Sequence, residues 1–129
     1  MEKKLHCRIL LGEDNKANQR VSKAMLEALG AEVEIAEDGL EVLAMLKEKN
    51  FDLILMDCQM PNMDGMEATT NIRQQVDSAY HAIPIIALTA DVQQDTRDEC
   101  IRVGMNDFLS KPFTFDKLLS VMESNLRNN

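Results

Sequence analysis

Leu53-Ile54-Leu55-Met56-Asp57-Cys58-Gln59-Met60-Pro61-Asn62-Met63-Asp64-Gly65 begins as an unbroken apolar run and ends in a loop. A short continuous apolar run is what a strand covered on both faces shows, as in parallel sheets sandwiched between helices. The run stops at a carboxylate, Asp57, and proline and glycine then mark the loop. Burying that charge is costly unless other charged groups meet it. The role of Asp57 therefore turns on what lies beside it in space.

Working outward, short apolar runs alternate with helical patterns along the chain. Arg8-Ile9-Leu10-Leu11 reads as a first strand ending at Gly12-Glu13-Asp14. Asn15 suits the cap of a helix with Val21, Ala24, Met25, Ala28 and Leu29 on one face, stopped by Gly30. Glu32 to Ala36 alternates as a half-exposed edge strand does, and Asp38-Gly39 turns into a second helix carrying Val42, Leu43 and Leu46. Asp64-Gly65 opens a third helix running to about Val76, and Pro84 to Leu88 is a fourth strand ending at Thr89-Ala90. Asp91 to Val103 has little to bury, which predicts a loosely held fourth helix. Gly104 ends it, Met105 to Leu109 is a fifth strand, and Phe115, Leu118, Leu119, Met122 and Leu126 line a last helix.

Five strand–helix units in this order predict an α/β fold, one doubly wound parallel sheet with helices on both faces. The 129 residues suffice for one domain, spanning 1–129 with its core at about 7–127. A net charge of −8 argues against direct nucleic-acid binding by this domain, which needs a basic patch. No apolar run reaches membrane-span length and the first residues lack a signal-peptide core, so a cytoplasmic domain without membrane contact is expected. Cys7, Cys58 and Cys100 are odd in number and widely spaced, as reduced small hydrophobes are, and His6 and His81 lie far apart on segments read as exposed.

Ligands of such sheets bind beyond the carboxyl ends of the strands. Glu13 and Asp14 follow the first strand, Asp57 ends the third, Thr89 ends the fourth, and Lys111 follows the fifth. Clustered carboxylates call for a hard divalent cation such as Mg²⁺. A carboxylate can attack phosphorus, while a metal, a lysine and a hydroxyl stabilise the transferring group. Each residue alone has a plainer reading: Asp14 as a helix cap, Thr89 as an ordinary strand-end residue, Lys111 as a loop lysine, Phe108 as a core aromatic. Their convergence on one rim is what favours chemistry.

Ile9 to Asn15, Leu53 to Gly65, Ile86 to Ala90 and Lys111-Pro112-Phe113 together resemble the receiver domain of two-component response regulators, in order and over nearly the whole chain. Glu13-Asp14-Asn15, Asp57-Cys58-Gln59-Met60-Pro61 and Gly104 to Pro112 look most like receivers of hybrid sensor histidine kinases. The resemblance implies a flavodoxin-like receiver fold, strand order 2-1-3-4-5 with five helices. It also implies that Asp57 accepts a phosphoryl group from a phosphohistidine in a phosphorelay. Mg²⁺ (Mn²⁺ as a substitute) would be bound by Asp14, Asp57 and the backbone carbonyl of Gln59, with Glu13 helping. Thr89 and Lys111 would hold phosphoryl oxygens, and Lys111-Pro112 would be a cis peptide. Thr89 and Phe108 would switch the surface of the fourth helix, fifth strand and fifth helix, while Gln59 and Asp91 would tune phosphoryl lifetime. The partner would be a histidine kinase or histidine phosphotransfer protein, docking near the first helix, with the domain itself a monomer or weak dimer. The domain would catalyse only its own phosphorylation and dephosphorylation. Kinase activity would belong to a parent protein, which could be membrane-anchored.

Gly12 departs from the family's branched apolar residue, which would loosen the acidic pocket. An aspartyl-phosphate phosphatase is disfavoured because Gln59 stands where such enzymes carry a second acid. A flavin-binding relative is disfavoured by Glu13 and Asp14, which repel phosphate. A phosphorylation-independent docking module remains the alternative.

Overall fold

The computed structural model describes residues 5–91 and 93–126. The expected core limit at residue 127 therefore lies outside the described residues. Five strands, β1 (Arg8–Gly12), β2 (Glu32–Ala36), β3 (Leu53–Asp57), β4 (Ile85–Thr89) and β5 (Asp107–Ser110), form one parallel sheet in the order β2-β1-β3-β4-β5. The helices are α1 (Lys16–Ala28), α2 (Gly39–Glu48), α3 (Gly65–Gln74), α4 (Gln94–Val103) and α5 (Phe115–Leu126).

Side chains alternate across a strand, so each apolar run serves two cores. Leu10, Ile54, Met56, Ile85 and Ala87 face α2, α3 and α4, packing with Val42, Leu46, Ile72 and Cys100. Ile9, Leu11, Leu53, Leu55, Ile86 and Leu88 face α1 and α5, packing with Leu26, Leu29, Leu118 and Met122. All five residues of β3 are buried, as its sequence predicts, and so are all five of β4. Strand β2 is the half-exposed edge. From β1 the chain winds outward to β2, and from β3 it winds the other way to β5. The carboxyl ends of β1 and β3 therefore flank the switch point.

The helix starts follow local chemistry. Asn15 Oδ1 accepts the amide of Asn18, Asp38 Oδ1 that of Glu41, and Asp64 Oδ1 that of Glu67, each an N-cap bond. Gly30 and Gly104 take the positive φ that closes α1 and α4. Helix α4 buries only Cys100 and its N-cap residue Gln93 makes no side-chain cap bond, as a loosely held helix should. Its carboxyl end is pinned: Arg73 on α3 donates to the carbonyl of Gly104 at 2.9 Å, to that of His81 at 2.8 Å and to Asn106 Oδ1 at 2.9 Å.

Several sequence expectations shift. The core face of α1 is Gln19, Ser22, Leu26 and Leu29, whereas Val21, Ala24 and Ala28 are exposed. Gln19 earns its burial by donating to the carbonyl of Glu13 at 2.6 Å. On α5, Phe115 is exposed rather than packed. Helix α3 stops at Gln74, short of Val76. Helix α4 starts at Gln94 because Asp91 is taken up in a turn, accepting from the Gln93 amide and the Thr96 hydroxyl. Strand β5 starts at Asp107 rather than Met105, because the Met105 amide still closes α4 on Cys100. All three cysteines are free and buried. His6 is exposed as expected, but His81 is half-buried.

Candidate functional site

Parallel strands end on one rim, so their last residues converge without any local sequence signal. Glu13 and Asp14 follow β1, Asp57 closes β3, Thr89 closes β4, and Lys111 lies one residue past β5. All five line one open cleft of about 850 Å³. Its floor is held by the ladder continuing past the strands: the Glu13 amide donates to the Ala36 carbonyl, Cys58 to Leu88, and Lys111 to Thr89.

Carboxylate oxygens of Glu13, Asp14 and Asp57 lie within 4.8 Å of one another. Glu13 and Asp57 are buried and Asp14 is exposed. The α1 cap is Asn15, so Asp14 is not spent on capping. Lys111 Nζ bridges the two buried acids, at 2.9 Å from Glu13 Oε1 and 2.7 Å from Asp57 Oδ2. Burial raises the pKa of Glu13, partly offset by its bond from Lys111. Burial pulls the other way on Lys111, but its bonds to Asp57 and Glu13 outweigh it, leaving a firmly charged ammonium. Three hard oxygen donors around one point, with only one cation, Lys111, between them among the described residues, suit a divalent metal. The acidic cluster fits a metal site.

Gln59 and Asp91 also line this cleft, whereas Phe108 is not among its lining residues. The amide of Gln59 donates to Asp57 Oδ1 at 2.9 Å, which folds the loop back onto the carboxylate. The Thr89 hydroxyl is turned toward Asp91, accepting its amide at 3.0 Å and lying 3.3 Å from its carbonyl. Lys111-Pro112 is cis, as anticipated. Phe108 is half-buried on β5, with the Arg97 guanidinium of α4 stacked 4.2 Å over its ring. Such cation–π contacts are worth about 0.5–1 kcal/mol at exposed sites.

Gly12 does not leave a hole. A Cβ there would lie 3.3 Å from Met56 Sδ and from Val42 Cγ2, and 3.5 Å from Met60 Cε. Flexible methionines fill the place of a branched side chain, so the pocket wall beside Glu13 is closed. Sequence reading missed Asp38 and Asn62, whose side chains bond at 2.7 Å. It also missed Arg97 over Phe108. Asp38-Gly39 was visible only as a turn, since partners 24 residues apart leave no periodic trace.

Comparison with known proteins agrees with this geometry. The model of the response regulator receiver domain matches residues 9–123. Hybrid signal transduction histidine kinase B of Dictyostelium discoideum is 40% identical over 92% of the chain, which spans 7% of that relative. Histidine kinase 2 of Arabidopsis thaliana is 40% identical over 88% of the chain, which spans 11% of that relative. The chain thus covers about a tenth or less of these curated relatives. Among solved structures, the receiver domain of sensor histidine kinase PA1611 from Pseudomonas aeruginosa PAO1 superposes with a TM-score of 0.88 at 40% identity. That match covers 96% of this chain and 100% of that one, whose active-site cleft coordinates a magnesium ion. A doubly wound sheet with an acidic, lysine-bridged rim, matched from β1 into α5, has one consistent family: the chain belongs to the response regulator receiver domains, phosphoacceptor modules of two-component phosphorelays.

Proposed function

We propose that Asp57 is the phosphoacceptor and that it takes its phosphoryl group from a phosphohistidine on a partner. The observation carrying this reading is the bridge from Lys111 to both Glu13 and Asp57, which brings residues 98 and 54 positions apart to one carboxylate at the switch point. A carboxylate oxygen of Asp57 attacks phosphorus and the P–N bond breaks, its electron pair returning to the ring nitrogen. With its other nitrogen protonated, the imidazole leaves neutral, and the product is an acyl phosphate. Lys111 holds negative charge on the transferring group, and Thr89 turns from Asp91 to donate to a phosphoryl oxygen. Asp14, Asp57 and the carbonyl of Gln59 would hold Mg²⁺, or Mn²⁺ in its place, with Glu13 assisting through water. When bound, the metal would neutralise negative charge on the transferring group.

Phe108 then follows Thr89, and the change reaches the surface of α4, β5 and α5, while Gln59 and Asp91 at the cleft mouth bear on phosphoryl lifetime. A groove lined by Val21 and Ser22 of α1 with Pro112 and Phe113 opens beside the cleft. Lys16, Arg20 and Lys23 share a different face of α1, where Lys16 pairs with Glu37. The groove suits a histidine kinase or histidine phosphotransfer protein presenting an apolar surface. The domain, residues 1–129, acts as a monomer or weak dimer in the cytoplasm. It belongs to a hybrid histidine kinase whose other parts carry the kinase activity. Among the described residues, no helix is long and apolar enough to cross a membrane.

The test is intact mass after incubation with acetyl phosphate, with and without Mg²⁺, for wild type and Asp57→Asn. One phosphoryl adduct that needs Mg²⁺ and vanishes in the variant is expected. No wild-type adduct, with beryllofluoride also failing to bind, would favour the docking-module reading instead.

A further inference from the structure

The loop from Cys58 to Asp64 carries the Gln59 carbonyl, and a backbone ligand can be no better placed than its loop. The near end is fixed by the sheet: the Cys58 amide donates to Leu88 at 3.0 Å, and the Gly65 amide closes on the Cys58 carbonyl at 3.2 Å. The apex, Pro61 and Asn62, is exposed, and Asn62 sits at φ 64°, a conformation that a free loop has little reason to keep. What meets the apex is the start of α2. Asn62 Nδ2 donates to Asp38 Oδ2 at 2.7 Å, and the Gly39 amide donates to the Met63 carbonyl at 2.8 Å. A Cβ on residue 39 would lie 2.6 Å from that carbonyl oxygen, so only glycine permits the approach.

Asp38 is itself buried, with 8% exposure, and its two oxygens have separate tasks. Oδ1 caps α2 through the Glu41 amide at 2.8 Å, and Oδ2 takes Asn62. Capping alone would be served as well by serine or threonine. A side chain with two acceptors is needed only if the loop must also be held. Asparagine at 62 likewise answers both demands, tolerating positive φ and supplying the donor.

We propose that Asp38 and Asn62 are positioning residues for the metal site: their bond holds the loop so that the Gln59 carbonyl faces the acidic cluster. This rests on the reading that the cluster binds a divalent ion. The consequence is a link between α2 and the phosphorylation cleft that does not pass through the sheet.

The experiment measures Mn²⁺ binding by electron paramagnetic resonance of the free ion, for wild type, Asp38→Ser, Asn62→Gly, Asp38→Asn and Leu118→Val. Serine keeps the cap of α2 but cannot reach Asn62, and glycine keeps the positive φ but loses the donor. Both should weaken Mn²⁺ binding about three- to tenfold, the range of one lost hydrogen bond. Asp38→Asn removes the charge yet can still bond a turned Asn62 amide, so it should stay within about twofold of wild type. Leu118→Val lowers stability far from the loop and should leave Mn²⁺ affinity unchanged. Unchanged affinity in Asp38→Ser and Asn62→Gly, with wild type binding, overturns the positioning role and leaves the metal reading intact. Equal losses in Asp38→Asn and Asp38→Ser also overturn it, since charge alone would then explain both. A wild type that binds no Mn²⁺ overturns the metal reading itself, and the proposal with it.

Discussion

Replacing Lys111 by methionine keeps most of the side chain's volume and removes the cation that bridges two buried acids. Nζ lies 2.9 Å from Glu13 and 2.7 Å from Asp57, and the clustered carboxylates are within 4.8 Å of one another. At that separation two unit charges repel by about 3.5 kcal/mol at an effective dielectric of about 20. Removing one partner of a buried pair costs about 3–5 kcal/mol. The lysine side chain is 22% exposed, so water screens part of this. We expect the metal-free variant to lose about 2–3 kcal/mol, roughly 8–12 °C in Tm for a domain of this size. The loss must depend on pH. Burial raises the Glu13 pKa, and losing Lys111 removes the hydrogen bond and the charge that lower it. An acid raised above its unfolded value of about 4.3 contributes stability that is complete below that value and lost as pH rises through the folded pKa. The deficit of Lys111→Met is therefore larger at about pH 8 than at about pH 5. Urea unfolding followed by circular dichroism, at both pH values and with or without Mg²⁺, reads this directly. Mg²⁺ should stabilise the variant more than wild type, since the metal replaces the missing charge. A variant as stable as wild type at about pH 8 without metal, or a deficit independent of pH, would refute the reasoning.

Three further outcomes are expected. Leu26→Ala should cost about 2–5 kcal/mol in urea unfolding and Val21→Ala under about 0.5, since only the former faces the core; the reverse order would restore the sequence-based face of α1. Arg73→Met removes three hydrogen bonds, though Asn106 Oδ1 keeps the Ile85 amide, and should cost about 3 kcal/mol, with faster amide exchange at Met105 and Asn106; a loss under about 1 kcal/mol would mean water replaces the guanidinium. Gly12→Val crowds Met56 and Val42 and should destabilise by about 1–3 kcal/mol, with partial relief from Met56→Ala in the double variant; a stabilised Gly12→Val would show that the methionines yield freely.

Much of the architecture was legible because β3 and β4 are buried on both faces and announce it as unbroken apolar runs. The errors share one cause. Gln19 and Ser22 occupy core positions of α1, and polar residues there are tolerated only through tertiary bonds such as Gln19 to Glu13. A hydrophobic-face argument rotates the helix by one position when such bonds are invisible. Strand β5 was misjudged at its start for a similar reason. Asn106 looks like a strand residue, yet its side chain accepts the Ile85 amide and the Arg73 guanidinium, so regular pairing begins only at Asp107. Asp14, Asp57, Thr89 and Lys111 could be found because a parallel sheet collects its strand ends. The Asp38–Asn62 bond joins two corners with no such rule, and Arg97 over Phe108 depends on how α4 settles. Neither could be read from spacing.

The uneven attachment of α4 makes it a short lever with its fulcrum near Cys100. Gln94 stands about 9 Å from that fulcrum along the helix axis. A swing of only about 15° then sweeps the free end through about 2.3 Å, for the same rise per residue. That end adjoins Asp91, whose amide the Thr89 hydroxyl holds at 3.0 Å. Were that hydroxyl drawn away, as the proposed switch requires, the lever would lose its rest at the tip while its carboxyl end stays bolted by Arg73 to the turn before β5. On the proposed switch, leverage of this kind would multiply a displacement of one hydroxyl group into a change of outline that another protein can feel.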